Sequence, residues 1–137
     1  MRVLLDTCAV SELRRPQPEK AVIEAIEAIA SDNLFLSVVT IGEIAKGIEW
    51  LPESKRKRGL RGWLLELERY YEDRILSIDA ETAHIWGELT AKAKQAGTTI
   101  GVSDGLIAAT ATRHGLHVMT RNEADFEASG ALLLNPW

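Results

Sequence analysis

A chain of 137 residues with 46% hydrophobic and 26% charged residues has the composition of an ordinary globular protein, long enough to bury a core and simplest as one domain, 1–137. The formal net charge of −4 excludes nucleic-acid binding by overall charge, so any such role must rest on a local patch. The single cysteine, Cys8, excludes an internal disulfide, and no stretch reaches the roughly 20 apolar residues of a membrane span. Asp6 and Glu12 interrupt any secretory h-region, and the expectation is a cytoplasmic protein away from membranes.

The first predicted element is a buried strand, Arg2 to Leu5, and the second a short helix around Val10 to Leu13, stopped by Pro16 and Pro18. A helix from about Glu19 to Ala30 follows, with Val22, Ile23, Ile26 and Ile29 on one stripe. Leu34 to Val38 reads as a second strand. The next helix carries Ile41, Ile44 and Ile48 and breaks at Pro52, after which Ser54 caps a longer helix reaching about Tyr71. Ile75 to Ile78 is a third strand, and Asp79 caps a helix that ends near Gly97. Ser103 is the expected cap of a helix from Asp104 to His114 with Gly115 at its exit. Leu116 to Thr120 and Ala131 to Leu134 complete the set as strands. Strands alternating with helices predict an α/β chain, a three-layer α/β/α domain around a mostly parallel sheet of about five strands.

Four acidic residues mark the joints of that pattern. Asp6 ends the first strand, while Glu43, Asp104 and Asp125 lie near the starts of later helices. In such sheets the carboxyl ends of the strands open on the ligand crevice. Carboxylates crowded there raise one another's pKa unless a cation offsets them, and an all-oxygen set suits a hard cation such as Mg²⁺. Each acid also has a structural reading. Asp6 could hold backbone amides of its turn, and Thr40-Ile41-Gly42-Glu43 matches a capping box. Asp104 would be favoured by a helix N-terminus, and Asp125 could be a solvated loop acid. A metal-dependent enzyme acting on phosphodiesters accounts for all four together.

Val3-Leu4-Leu5-Asp6-Thr7, Ser37-Val38-Val39-Thr40-Ile41-Gly42-Glu43-Ile44, Val102-Ser103-Asp104-Gly105-Leu106-Ile107-Ala108-Ala109-Thr110-Ala111 and Thr120-Arg121-Asn122-Glu123-Ala124-Asp125-Phe126 together resemble the motifs of a PIN domain, in order and spacing over essentially the whole chain. Within that family the chain looks most like VapC toxins of type II toxin–antitoxin modules, close to the FitB and plasmid-stability branch. The resemblance implies a Mg²⁺-dependent ribonuclease, with Mn²⁺ able to substitute. It places Asp6, Glu43 and Asp104 as the core metal acids, with Thr7 and Thr120 orienting the cluster. The position after Thr120-Arg121 is often Asp in this family and is Asn122 here. Asn122 offers a neutral oxygen, and Asp125 could supply the charge one helical turn later. The implied partners are RNA and a VapB- or FitA-like antitoxin, which alone would contact DNA, and the implied assembly is a homodimer within a larger toxin–antitoxin complex.

Lys55, Arg56, Lys57, Arg58 and Arg61 form the one dense basic run, readable as a solvated helix face or as a strip that grips RNA phosphates. Trp50 and Trp63 could stack on bases, but a partly buried helix interface is the plainer expectation. Ile48, Leu51, Leu60, Leu64, Leu65 and Leu67 suggest more apolar surface than the sheet needs. His84, His114 and His117 have no zinc-like spacing with Cys8, and Cys8 has no neighbouring histidine to activate it. A PIN-like module that binds without cleaving is the main rival. Phosphatases that use an aspartyl nucleophile would want a second Asp where Cys8 stands.

Overall fold

The computed structural model describes residues 1–137. Its elements are β1 (Val3–Leu5), α1 (Thr7–Glu12), α2 (Lys20–Glu27), β2 (Leu34–Ser37), α3 (Val38–Trp50), α4 (Lys55–Tyr70), β3 (Ile75–Leu76), α5 (Ala80–Gln95), α6 (Val102–His114), β4 (His117–Met119), α7 (Glu123–Phe126) and β5 (Leu133–Leu134). All strand pairs are parallel, in the order β3-β2-β1-β4-β5. The chain therefore steps outward from β1 to β2 and β3, then returns to the other side of β1 with β4. That reversal puts a topological switch point beside the carboxyl end of β1.

Side-chain alternation along β1 divides the core in two. Val3 and Leu5 face one layer, where they meet Val10, Val22, Ile44 and Leu64, while Leu4 faces the other, with Leu89, Ile107, Val118 and Phe126. Each face of the sheet is thereby covered by helices, as expected for three layers. No helix is long and apolar enough to cross a membrane.

Several boundaries move, each for a local reason. The first helix begins at Thr7 rather than Val10, because the Asp6 side chain accepts the Thr7 N–H at 2.6 Å and caps it. Strand β2 stops at Ser37 and helix α3 starts at Val38. The buried Ser37 hydroxyl takes the Val39 N–H at 3.0 Å and is the cap, so Thr40 and Glu43 are not a capping box. Helix α6 is capped at Gly101, which puts Ser103 inside its first turn. Ser54 and Asp79 cap as read, and Gly115, with φ +68°, ends α6 in the left-handed region.

The basic run does not form one strip. Lys57 is buried, and its ammonium donates to the Glu49 and Leu51 carbonyls at 3.2 and 2.9 Å, closing the C-terminus of α3. Arg61 is bound by both oxygens of Glu49, at 2.8 and 2.9 Å, and by Glu53 at 3.1 Å. Only Lys55, Arg56 and Arg58 remain exposed for other work. Lys57→Met should leave two part-buried carbonyls without their donor and cost about 1 kcal/mol in urea unfolding. An unchanged midpoint would contradict that role.

The surplus of apolar surface on these helices is also smaller than the sequence suggests. Ile48, Leu64 and Leu67 are buried where α3 meets α4, and Leu65 is left out, 62% exposed. Trp63 packs on the same core beneath the Arg14 guanidinium. Trp50 contradicts the expectation of partial burial: it is 88% exposed at the end of α3.

Candidate active site

The carboxyl end of β1 hands the chain directly to Asp6, which is 4% exposed. Three donors converge on it. The Thr7 N–H reaches Oδ1, and the Thr120 hydroxyl and the Cys8 thiol reach Oδ2 at 2.9 and 3.4 Å. Thr120 follows β4, which pairs with β1, and its oxygen also accepts the Asn122 N–H at 3.0 Å. Cys8 Sγ in turn accepts the Arg121 N–H at 3.4 Å, tying the loop after β4 to the first helix. Burial pushes the Asp6 carboxyl above its ordinary value and outweighs the lowering by these hydrogen bonds.

Glu43 approaches from α3. The Thr7 hydroxyl donates to its Oε1 at 2.6 Å, and the fully buried Thr40 hydroxyl lies 3.3 Å from Thr7 Oγ1. Thr40 thus supports Thr7 from behind, a role its position in the sequence disguised as a cap. Asp104 enters in the first turn of α6, a half-buried residue. Its carboxyl is pushed up to about 6, first by burial, then by the charges of Asp6, Asp125 and Glu43. That mutual repulsion is the physical signature of one acidic cluster drawn from four separate segments.

The fourth position is divided. Asp125, exposed on α7, contributes charge to Asp104. Asn122 is exposed, and its backbone, rather than its side chain, is what joins the network. Of the basic run, only Arg56 reaches the neighbourhood, lining a cleft with Thr7, Ser11, Arg14 and Glu43.

No three acidic, histidine or cysteine side chains stand close enough together to ligate one ion directly. The carboxylates are nevertheless oxygen donors that repel one another, a set whose chemistry would suit a hard cation that retains much of its own water. Glu12 is the buried acid that sequence reasoning missed. It is 3% exposed, and its Oε1 takes the Glu19 N–H at 2.7 Å, which holds its carboxyl below the usual range and pins the α1–α2 turn. Nothing in the local sequence marked it, since its partner lies seven residues away across an irregular turn.

A PIN domain family model matches residues 3–130. "VapC ribonuclease Y4jK" of Sinorhizobium fredii is 38% identical over 98% of this chain and 97% of its own length. "Toxin FitB" of Neisseria gonorrhoeae is 35% identical over 98% of both. The "Plasmid stability protein StbB" of Pseudomonas syringae pv. tomato is 37% identical, again over 98% of each chain. Among solved structures, the fold superposes on FitAcB from Neisseria gonorrhoeae with a TM-score of 0.93 at 35% identity, covering 98% of both chains. With a family model that spans most of the chain and relatives that match along nearly its full length, the chain belongs to the PIN domain family, in the branch of the VapC and FitB proteins.

Proposed function

We propose that this chain is a metal-dependent endoribonuclease and the toxin of a VapBC-like toxin–antitoxin pair. The observation that carries the reading is the coupled set Asp6, Glu43, Asp104 and Asp125 at the switch point, where burial and then the charges of the other three push Asp104 up to about 6. The names of the relatives, ribonuclease and toxin among them, point the same way.

Asp6, Glu43 and Asp104, with Asp125 at the rim, would hold Mg²⁺, with Mn²⁺ as a substitute. Bound there, such a cation would activate water and stabilise the charge that builds on an RNA phosphate. The protein's own share is positional. Thr120, Cys8 and the Thr7 amide hold Asp6, and the Thr7 hydroxyl, backed by Thr40, holds Glu43. Burial and the neighbouring carboxylates disfavour the charge on Asp104, so that carboxyl would gain most from a bound cation, and water would attack phosphorus in line with the leaving 3′-oxygen. Asn122 leaves the fourth corner uncharged, so the reading needs no tightly held second metal.

Neutralisation would come from a FitA- or VapB-like antitoxin, which would also carry the contact with DNA. Several structural neighbours are toxin–antitoxin complexes, one of them FitAB with a DNA fragment, matched at a TM-score of 0.92 and 34% identity. An antitoxin arginine or lysine paired with the carboxylates would relieve the same repulsion as a cation. A homodimer belongs to the same reading and is supported by Leu65 and Tyr70, large side chains left exposed on α4.

The test is to digest total tRNA and rRNA with the antitoxin-free protein in Mg²⁺ and map the new termini. The reading predicts 5′-phosphate and 3′-hydroxyl ends. Ends carrying 2′,3′-cyclic phosphate would overturn it, because they record attack by the RNA's own 2′-hydroxyl.

A further inference from the structure

One side of α3 forms a path that leads away from the acidic cluster. Glu43, Lys46 and Trp50 follow one another at helical spacings of three and four, so they project on a common face. Together with Val39, Gly42, Gly47 and Ser103 they line an open groove of about 680 Å³. Gly42 and Gly47 make its floor bare backbone: a Cβ added at either would meet nothing within 4 Å. Glu43 marks the end nearest the chemistry, and Trp50, with 88% of its surface free, marks the other. From one to the other is about 10 Å along the helix axis.

These features are an acid beside the reacting phosphate, then an exposed cation, then a flat apolar ring. Lys46 stands free on this face, whereas Lys57 and Arg61 are occupied by Glu49 and Glu53. On a chain of net charge −4, a strand of RNA needs a cation next to the carboxylates to offset their repulsion. A tryptophan face offers stacking to any unpaired base, and the absence of side chains at Gly42 and Gly47 lets a backbone lie close.

Resting on the ribonuclease reading, we infer that the α3 groove is the track for the single strand flanking the scissile phosphate, with Lys46 on a phosphate and Trp50 stacked on an unpaired base. Trp50 is then a determinant of substrate choice. It admits loops and single strands and discriminates against duplex, whose bases are already stacked on one another.

The experiment uses the Asp104→Asn protein, so that RNA is bound without being cut, and a fluorescein-labelled single-stranded oligoribonucleotide with its duplex as competitor. Adding Trp50→Ala should weaken binding of the single strand about tenfold or more, as loss of one stacked base does. Trp50→Phe should restore most of it, and Lys46→Met should weaken binding and flatten its salt dependence. In the cleaving protein, Trp50→Ala should raise KM more than it lowers kcat. Sedimentation of each variant should match its parent.

Binding unaffected by Trp50→Ala would overturn the inference. So would a change in sedimentation caused by Trp50→Ala, which would mean that a second copy covers the ring. Trp50-dependent binding by a protein that cuts no RNA would leave the track standing and remove the ribonuclease reading. Absence of RNA binding in the parent would remove both.

Discussion

Asp104→Asn should abolish RNA cleavage, by a hundredfold or more, while making the fold more resistant to heat at neutral pH. Loss of a charged group aimed at the reacting centre has a cost of about that size. The stability effect follows from the same carboxyl. Its pKa in the folded chain is about 6, against an ordinary value of 3.8, because burial and three neighbouring carboxylates disfavour its charge. The native state therefore holds a proton that the unfolded state has released between those two values. Stability from this group is complete below about pH 4, falls as pH rises toward 6, and is absent above it. Asparagine removes the repulsion altogether. The variant should melt higher than the parent at pH 7.5 and alike at pH 4, as read by thermal scans without divalent cations. A variant that melts lower at pH 7.5 would show that Asp104 serves the fold rather than the site.

Asp6→Ala should lose cleavage just as completely but move stability the other way. The Asp6 side chain is the buried acceptor for the Thr7 amide, the Thr120 hydroxyl and the Cys8 thiol, and it caps the first helix. Alanine leaves those donors without their acceptor, at a cost of about 1–3 kcal/mol, measured by urea unfolding. The contrast separates the two acids. Burial disfavours the charge on both, but Asp6 accepts three hydrogen bonds that join β1, α1 and β4, whereas Asp104 accepts none to offset its cost. Equal stability effects from both substitutions would contradict this division.

The layers and the acidic cluster were legible because they rest on local rules. The apolar run Val3-Leu4-Leu5 fixes a buried strand, and an acid at its end falls at the sheet's open edge whatever the remaining details. Glycine at 115 and serine at 54 act within their own turns, so their sites of action could be read directly. The illegible parts depend on partners far along the chain. Thr40 reads as a cap until Ser37 is seen to occupy that position, and its hydroxyl then meets Thr7, 33 residues earlier. The basic run carried a signal of its own dissolution, since Glu53, Lys57 and Arg61 recur at spacings of four on neighbouring turns. Trp50 could not be placed from pattern, because a tryptophan at a helix end is equally consistent with packing and with display.

The most direct measurement is cleavage of tRNA and rRNA by the antitoxin-free protein beside Asp104→Asn, each with Mg²⁺ and with chelator. Discrete fragments are expected from the unmodified protein in Mg²⁺ and none in the other three lanes. Fragments that persist in chelator, or that appear equally with Asp104→Asn, would contradict a metal-dependent ribonuclease.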